Sequence, residues 1–176
     1  AEEIPGPSIN KLREDARKLK VCIIAGSIIE KCGDILYNTS VVIDKDGKIC
    51  GKYRKVHLFA PLNETVYFTP GDSIKVFDTS IGKIGVEICY DVRFPEVSRS
   101  LCLQGAKIIF IPAEFPDPRA EHWEILVRAR AIENQLFIVA VNRVGADEMA
   151  TYFGKSMIVD PWGNVIASGD REEGIV

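Results

Sequence analysis

No stretch of this 176-residue chain approaches the run of roughly 18 apolar residues that a membrane-spanning helix needs, and no signal peptide opens it. Both absences argue against membrane insertion and secretion. Histidine is almost missing, with only His57 and His122, and no C-x-x-C pair occurs. The five cysteines (Cys22, Cys32, Cys50, Cys89, Cys102) are odd in number and unevenly spaced, which suggests neither a zinc site nor a disulfide framework. Free thiols fit a reducing cytoplasm. There is no Gly-rich phosphate loop and no metal-ligand spacing, so neither cofactor nor metal is expected. No basic block stands out and the net charge is only −3, from 22 basic and 25 acidic residues. That balance offers no electrostatic case for nucleic acid or an anionic membrane as a partner.

What is present describes an ordinary folded protein. The chain is 47% hydrophobic and 27% charged, which places it outside the disordered class. Its length suits one domain over residues 1–176, burying about two-thirds of the unfolded surface. Ser8 is positioned to cap a helix in which Ile9, Leu12, Ala16 and Leu19 recur at spacings of three and four. Residues 21–26 form a short apolar run, the pattern of a strand covered on both faces. Residues 37–43 and 49–53 flank Asp46-Gly47, a strong hairpin signal.

Further strands are expected at 74–77, 84–89, 107–112 and 137–141, with a last hairpin from strands 152–159 and 165–167 around residues 160–164. A helix should open at Pro95 and end near Gly105, and a longer one should cover about 119–135. In that long helix Ile125, Ala129, Ile132 and Leu136 form an apolar stripe, and Glu124 and Arg128 an i,i+4 pair. Strands and helices alternate in the second half while hairpins occur in both, so the fold class is mixed α/β with sheets covered by helices.

The candidate active site lies between Lys55 and Glu96. The apolar run of 84–88 stops at Cys89, polar Tyr90-Asp91 follow, and Pro95-Glu96 can open a helix. A thiol at the C-terminal tip of a strand just before a helix is where α/β proteins display a nucleophile. A cation and a following backbone N–H lower the pKa of such a thiol, and the thiolate attacks carbonyls. The bland alternative is a buried core cysteine. Lys55, taken alone, reads as part of a solvated basic turn, and Glu64 as a surface acid. Glu87 shares a strand face with Cys89 and is expected to pair with a nearby cation. A Cys-His hydrolase would instead require His57 or His122 as base. Phe115, Trp123 and Trp162 read as core or pocket wall.

Longer segments then resemble the nitrilase superfamily of carbon–nitrogen hydrolases, in its omega-amidase-like branch. Residues 51–59 (Gly-Lys-Tyr-Arg-Lys-Val-His-Leu-Phe) are similar to the family's lysine motif. Residues 85–96, with Cys-Tyr-Asp-Val-Arg-Phe-Pro-Glu at 89–96, are similar to its cysteine motif. Residues 36–40, 67–72, 122–124, 129–134 and 154–156 add collinear similarities through nearly the whole chain. The resemblance implies an α-β-β-α sandwich of two mixed sheets flanked by helices, usually assembled as a homodimer or higher homo-oligomer. It implies hydrolysis of a non-peptide C–N bond in a small-molecule amide, through a cysteine thioester. Cys89 is then the nucleophile, Lys55 the lysine and Glu64 the second glutamate of the family's set. The Tyr90 backbone N–H would help to bind the oxyanion, and Arg93 or another nearby cation would hold the distal carboxylate of an ω-amide of a dicarboxylic acid; a structural ion pair is the equal alternative for Arg93.

In the resemblance, the first catalytic glutamate precedes the helix near Ser8, and a closing strand and C-terminal arm follow the last matched residue. The chain is therefore expected to be incomplete at both termini and, by itself, to turn over poorly. Two alternatives remain: a non-catalytic relative that binds ligands or partners, and the Cys-His hydrolase.

Overall fold

In the computed structural model, which describes residues Ala1–Val176, Pro7 rather than Ser8 begins the first helix, α1 (Pro7–Leu19). Proline suits the first helical position because its missing N–H would have had no partner there. Gly6 is the N-cap, and the Ser8 N–H reaches the Glu2 carboxylate at 3.1 Å. Ile9 and Ala16 are fully buried, whereas Leu19, the last of the expected stripe, is 64% exposed.

The chain divides into two units, Ala1–Ile84 and Gly85–Val176. The first holds an antiparallel sheet in the order β1 (Ile23–Cys32), β2 (Ile35–Ile43), β3 (Ile49–Arg54). β1 is longer than the apolar run suggested, and along it only Ala25 and Glu30 are buried, so the strand is not covered on both faces. Its end turns at Gly33 (φ 62°), and the Asp46-Gly47 hairpin forms as expected with Gly47 at φ 77°. Ile9, Ala16, Ala25, Val41 and Ile43 make this unit's core. A buried aliphatic side chain such as Ile9 contributes about 1.5–3 kcal/mol.

Beyond β3 come a 3-10 turn (Ala60–Leu62), a single-turn helix α2 (Glu64–Tyr67) and β4 (Phe77–Thr79). The expected strand 74–77 thus starts only at Phe77. β4 pairs antiparallel with the first residues of β5 (Gly82–Val86).

In the second unit β5 runs out at Val86, and Cys89 opens a 3-10 turn (Cys89–Arg93) instead of closing a strand. Helix α3 (Pro95–Leu103) follows, with Gly105 at φ 94° just beyond its end. Then come β6 (Ile108–Ala113), helix α4 (Ala120–Asn134) and β7 (Phe137–Asn142), a parallel crossover unit. β8 (Val144–Ala146) and β9 (Thr151–Phe153) form a separate ribbon, and β10 (Met157–Val159) pairs with β11 (Val165–Ser168). The sheet order in this unit is β5-β6-β7-β10-β11.

Helix α4 is rotated relative to the stripe expected for it. Its buried residues are Trp123, Val127, Arg130, Ala131 and Asn134, while Ile125 and Ile132 are 64% and 51% exposed. Apolar residues recur on both sides of this helix, so periodicity cannot choose the face; the bulk of Trp123 does. The Glu124–Arg128 pair does not form: Glu124 faces Lys155 at 3.6 Å, and Arg128 donates to the Gly163 carbonyl at 2.9 Å. Trp162, expected as core or pocket wall, is 86% exposed at a turn. Phe115 and Trp123 are buried and in tilted contact, with centroids 5.3 Å apart.

Candidate active site

The candidate residues fall into two groups, one in each unit. In the first, β3 delivers Lys55 into the interior, where it is 1% exposed, so the solvated-turn reading fails. A buried ammonium survives only if paired. Its Nζ meets Glu64 Oε2 at 2.5 Å, the first residue of α2. Glu64 is held in turn: Oε2 also accepts the Phe59 N–H at 2.6 Å and Oε1 accepts Asn38 Nδ2 at 3.0 Å. Both oxygens of Glu64 are thus engaged as acceptors.

The backbone around Lys55 is clamped as well. Its N–H donates to the Asn38 carbonyl at 2.9 Å and its carbonyl accepts the Gly71 N–H at 2.8 Å. Gly71 is required there, since a Cβ would lie 2.2 Å from the Arg54 carbonyl oxygen. Segments 36–40, 51–59 and 67–72, read separately in the sequence, therefore meet at one lysine. Asn38 was not singled out from the sequence; its place within segment 36–40 was the only signal.

The second group is built on the turn after β5. Cys89 is 9% exposed and adopts φ 50°, the left-handed region that non-glycine residues rarely occupy. Such strain persists only where surroundings enforce it, and it clusters at functional sites. Here Asp91 Oδ2 accepts the Ile88 N–H at 3.0 Å, the Asp91 N–H donates to the Ile88 carbonyl at 3.1 Å, and Arg130 Nε donates to the Val92 carbonyl at 2.9 Å. Strand tip, sharp turn and following helix form an elbow that lifts the cysteine out of the ladder.

Tyr90, the next residue, stacks edge-on against Phe94 with centroids 5.3 Å apart. Arg93 places its guanidinium 5.4 Å from the Phe115 ring centroid and 6.0 Å from that of Tyr90, with one terminal nitrogen 3.1 Å from His122 Nδ1. A guanidinium has only donors, so Nδ1 is the acceptor in this contact. His57 is half-buried.

Glu87 does not form the ion pair expected of it. It is fully buried, and its Oε1 accepts a very short hydrogen bond from the Ser98 hydroxyl. Burial pushes its carboxyl up to about 8, against the opposing pull of Ser98.

Sequence reasoning also missed a second buried carboxylate, Glu30, in the first unit. It takes Lys52 Nζ at 2.5 Å, Arg54 Nη2 at 2.7 Å and Thr39 Oγ1 at 2.7 Å, while the Arg54 guanidinium lies 3.7 Å from the Tyr37 ring centroid. Burial opposes its ionisation, but the hydrogen bonds from Arg54, Lys52 and Thr39 outweigh it and leave the carboxyl at about 2. None of the five cysteines is in a disulfide, no cluster of three metal-type ligands occurs, and no helix is long and apolar enough to cross a membrane.

Comparison with known proteins adds to this geometry. The carbon-nitrogen hydrolase family model matches residues 1–176. The 2-oxoglutaramate amidase of Bacillus subtilis (strain 168) is 45% identical over 165 residues, covering 94% of this chain and 64% of that protein. Omega-amidase NIT2 of Homo sapiens is 40% identical over 186 residues, covering 100% of this chain and 67% of its own length. The chain thus spans about two-thirds of these relatives.

Among solved structures, a mutant of the amidase from Nesterenkonia sp. AN1 superposes with a TM-score of 0.87 at 27% identity, covering 95% of this chain and 64% of that one. That structure carries the acetamide moiety of fluoroacetamide covalently added at its active-site cysteine. The mixed α/β architecture, with sheets flanked by helices, is that of these nitrilase-type hydrolases. By sequence and by fold, the chain belongs to the carbon-nitrogen hydrolase family, in the omega-amidase-like branch of the nitrilase superfamily.

Proposed function

We propose that this protein cleaves the C–N bond of a small amide by omega-amidase-like chemistry, with Cys89 as the nucleophile. The observation that carries the proposal is the elbow: a buried thiol at φ 50° on a turn pinned by Asp91 and Arg130 just beyond the tip of β5. The Cys89 thiolate attacks the amide carbonyl and forms a C–S bond. The C–N bond then breaks, the nitrogen leaves as ammonia carrying the proton that the thiol gave up, and water hydrolyses the thioester, its OH staying on the acid and its other hydrogen restoring the thiol.

Lys55 is assigned to the developing oxyanion, together with the N–H of Tyr90, the second residue of the 3-10 turn that Cys89 opens. A donor so placed contributes about 3–4 kcal/mol to the barrier. Glu64 is assigned the orientation of Lys55. The proton transfers belong to neither group.

Arg93 supports an acidic substrate. A guanidinium braced by Phe115 and His122 presents a rigid fork, the geometry that a carboxylate accepts bidentately. The relatives' names are consistent with short ω-amides of dicarboxylic acids. The Cys-His alternative is weaker, because His122 is committed to Arg93. Exposed Ile125 and Ile132 on α4 favour self-association as a homodimer or higher homo-oligomer, which light scattering measures. The free thiols favour a cytoplasmic setting.

The test is ammonia release by the full-length protein from 2-oxoglutaramate and from a neutral amide of equal length. The expected result is turnover that falls by about 10³-fold or more in Cys89→Ala. The neutral amide should be disfavoured by Arg93, and Arg93→Met should erase that preference. Unchanged turnover in Cys89→Ala sinks the assignment.

A further inference from the structure

Glu87 is a buried titratable group that the reaction above does not use. It lies two residues before Cys89, on the segment that leads from β5 into the elbow. Its backbone N–H is fixed to the Phe110 carbonyl of β6 at 3.0 Å. Of its two carboxyl oxygens, Oε1 takes the Ser98 hydroxyl from α3, and Oε2 is buried with no hydrogen-bond partner. The charged groups that act on it are Asp91 from the turn and Arg130 and Glu133 from α4. Arg130 is already engaged, donating to the Val92 carbonyl and to Glu133 at 2.7 Å.

A lone buried acceptor is tolerable as the carbonyl of a neutral acid. As half of a carboxylate it is a desolvated charge without a donor, and costs far more. An anion here would also repel the Asp91 carboxyl and draw on the Arg130 guanidinium. Those are the two groups that pin the Cys89 turn.

We propose that Glu87 is a positioning residue for the nucleophile: as a neutral acid resting on Ser98 it leaves Asp91 and Arg130 free to hold the turn, and as an anion it pulls that turn out of shape. The protein therefore carries an alkaline off-switch distinct from its reacting groups. Burial sets the carboxyl near 8, within reach of ordinary solution conditions. The proposal rests on Cys89 being the nucleophile, and on nothing else in the reaction.

The experiment follows alkylation of Cys89 by iodoacetamide, read by mass spectrometry of its peptide, from pH 6 to 9.5 in wild type and Glu87→Gln. Taking the ratio of the two rates cancels the thiol's own ionisation. The expected ratio is near one below pH 7 and falls at least about threefold above pH 8, because an adjacent anion and a loosened turn both disfavour the thiolate. A ratio that stays flat or rises across the range overturns the proposal.

Ser98→Ala supplies an independent arm. It removes the one donor to the anion, so the alkaline midpoint of the alkylation profile must move up by half a pH unit or more. An unmoved midpoint also overturns it. If wild type releases no ammonia from any amide while the ratio still falls, the amidase reading fails and the role of Glu87 stands.

Discussion

Lys55 and Glu64 show how much a single buried pair can demand of its surroundings. A 1% exposed ammonium is held by one carboxylate, which is itself held by Asn38 and the Phe59 N–H. Lys55→Met, close in length and uncharged, should lower kcat/KM by about 10²–10³-fold through loss of the proposed oxyanion donor, and should also lower the melting temperature by leaving the Glu64 carboxylate without its counter-charge. Steady-state kinetics with a matched thermal melt checks this. Glu64→Gln keeps the shape but leaves the ammonium without its counter-charge. Thermal unfolding of that variant should show a loss of about 3 kcal/mol or more, because an unpaired buried charge is costly. Both residues were legible only through their motifs. Nine positions apart in irregular chain, they carry no periodic signal, and Asn38, 26 positions before Glu64, carries none at all.

At the scale of elements, the turn that carries Cys89 depends on chain segments far apart in sequence. Asp91 caps it locally, whereas Arg130 reaches it from α4, 38 positions from Val92. Arg130→Met should cost about 2–3 kcal/mol, since it strips the buried Val92 carbonyl of a charge-assisted bond. It should also slow Cys89 alkylation, and a variant that loses stability without slowing alkylation would sever the two. Gly71→Ala tests the other end. With 2.2 Å between its Cβ and the Arg54 oxygen, the backbone must shift, and Lys55 with it, so chemical denaturation should report a loss of about 2 kcal/mol or more. The strand-turn-helix order and the hairpins were readable because apolar runs and Asp-Gly turns are local. The face of α4 was not, because both of its sides carry apolar residues and only packing selects between them.

For the whole molecule, two buried carboxyls set opposite slopes of stability with pH. Glu30 is held near 2, well below its free value. The unfolded chain therefore takes up its proton first as pH falls. The stability this group contributes is intact above about 4.5, and it drains away toward about 2. Glu87, raised to about 8, acts in the other direction: its contribution is intact below about 4.5 and is lost as pH rises to about 8. Melting temperatures measured from pH 3 to 9 should show wild type losing ground to Glu87→Gln between pH 5 and 8. Wild type should lose its advantage over Glu30→Gln below about pH 4.5. Parallel curves for wild type and either variant would contradict the corresponding assignment.

The family, the α/β class, the hairpins and the identities of Cys89, Lys55, Glu64, Tyr90 and Arg93 as candidates are properties of the sequence itself, because motif order and hydrophobic period survive without coordinates. The clamp on Lys55, the left-handed turn at Cys89, the outward face of α4 and the isolation of Glu87 belong to tertiary structure. Each depends on which side chain fills a space opened by residues tens of positions away, and no local pattern of residues encodes that.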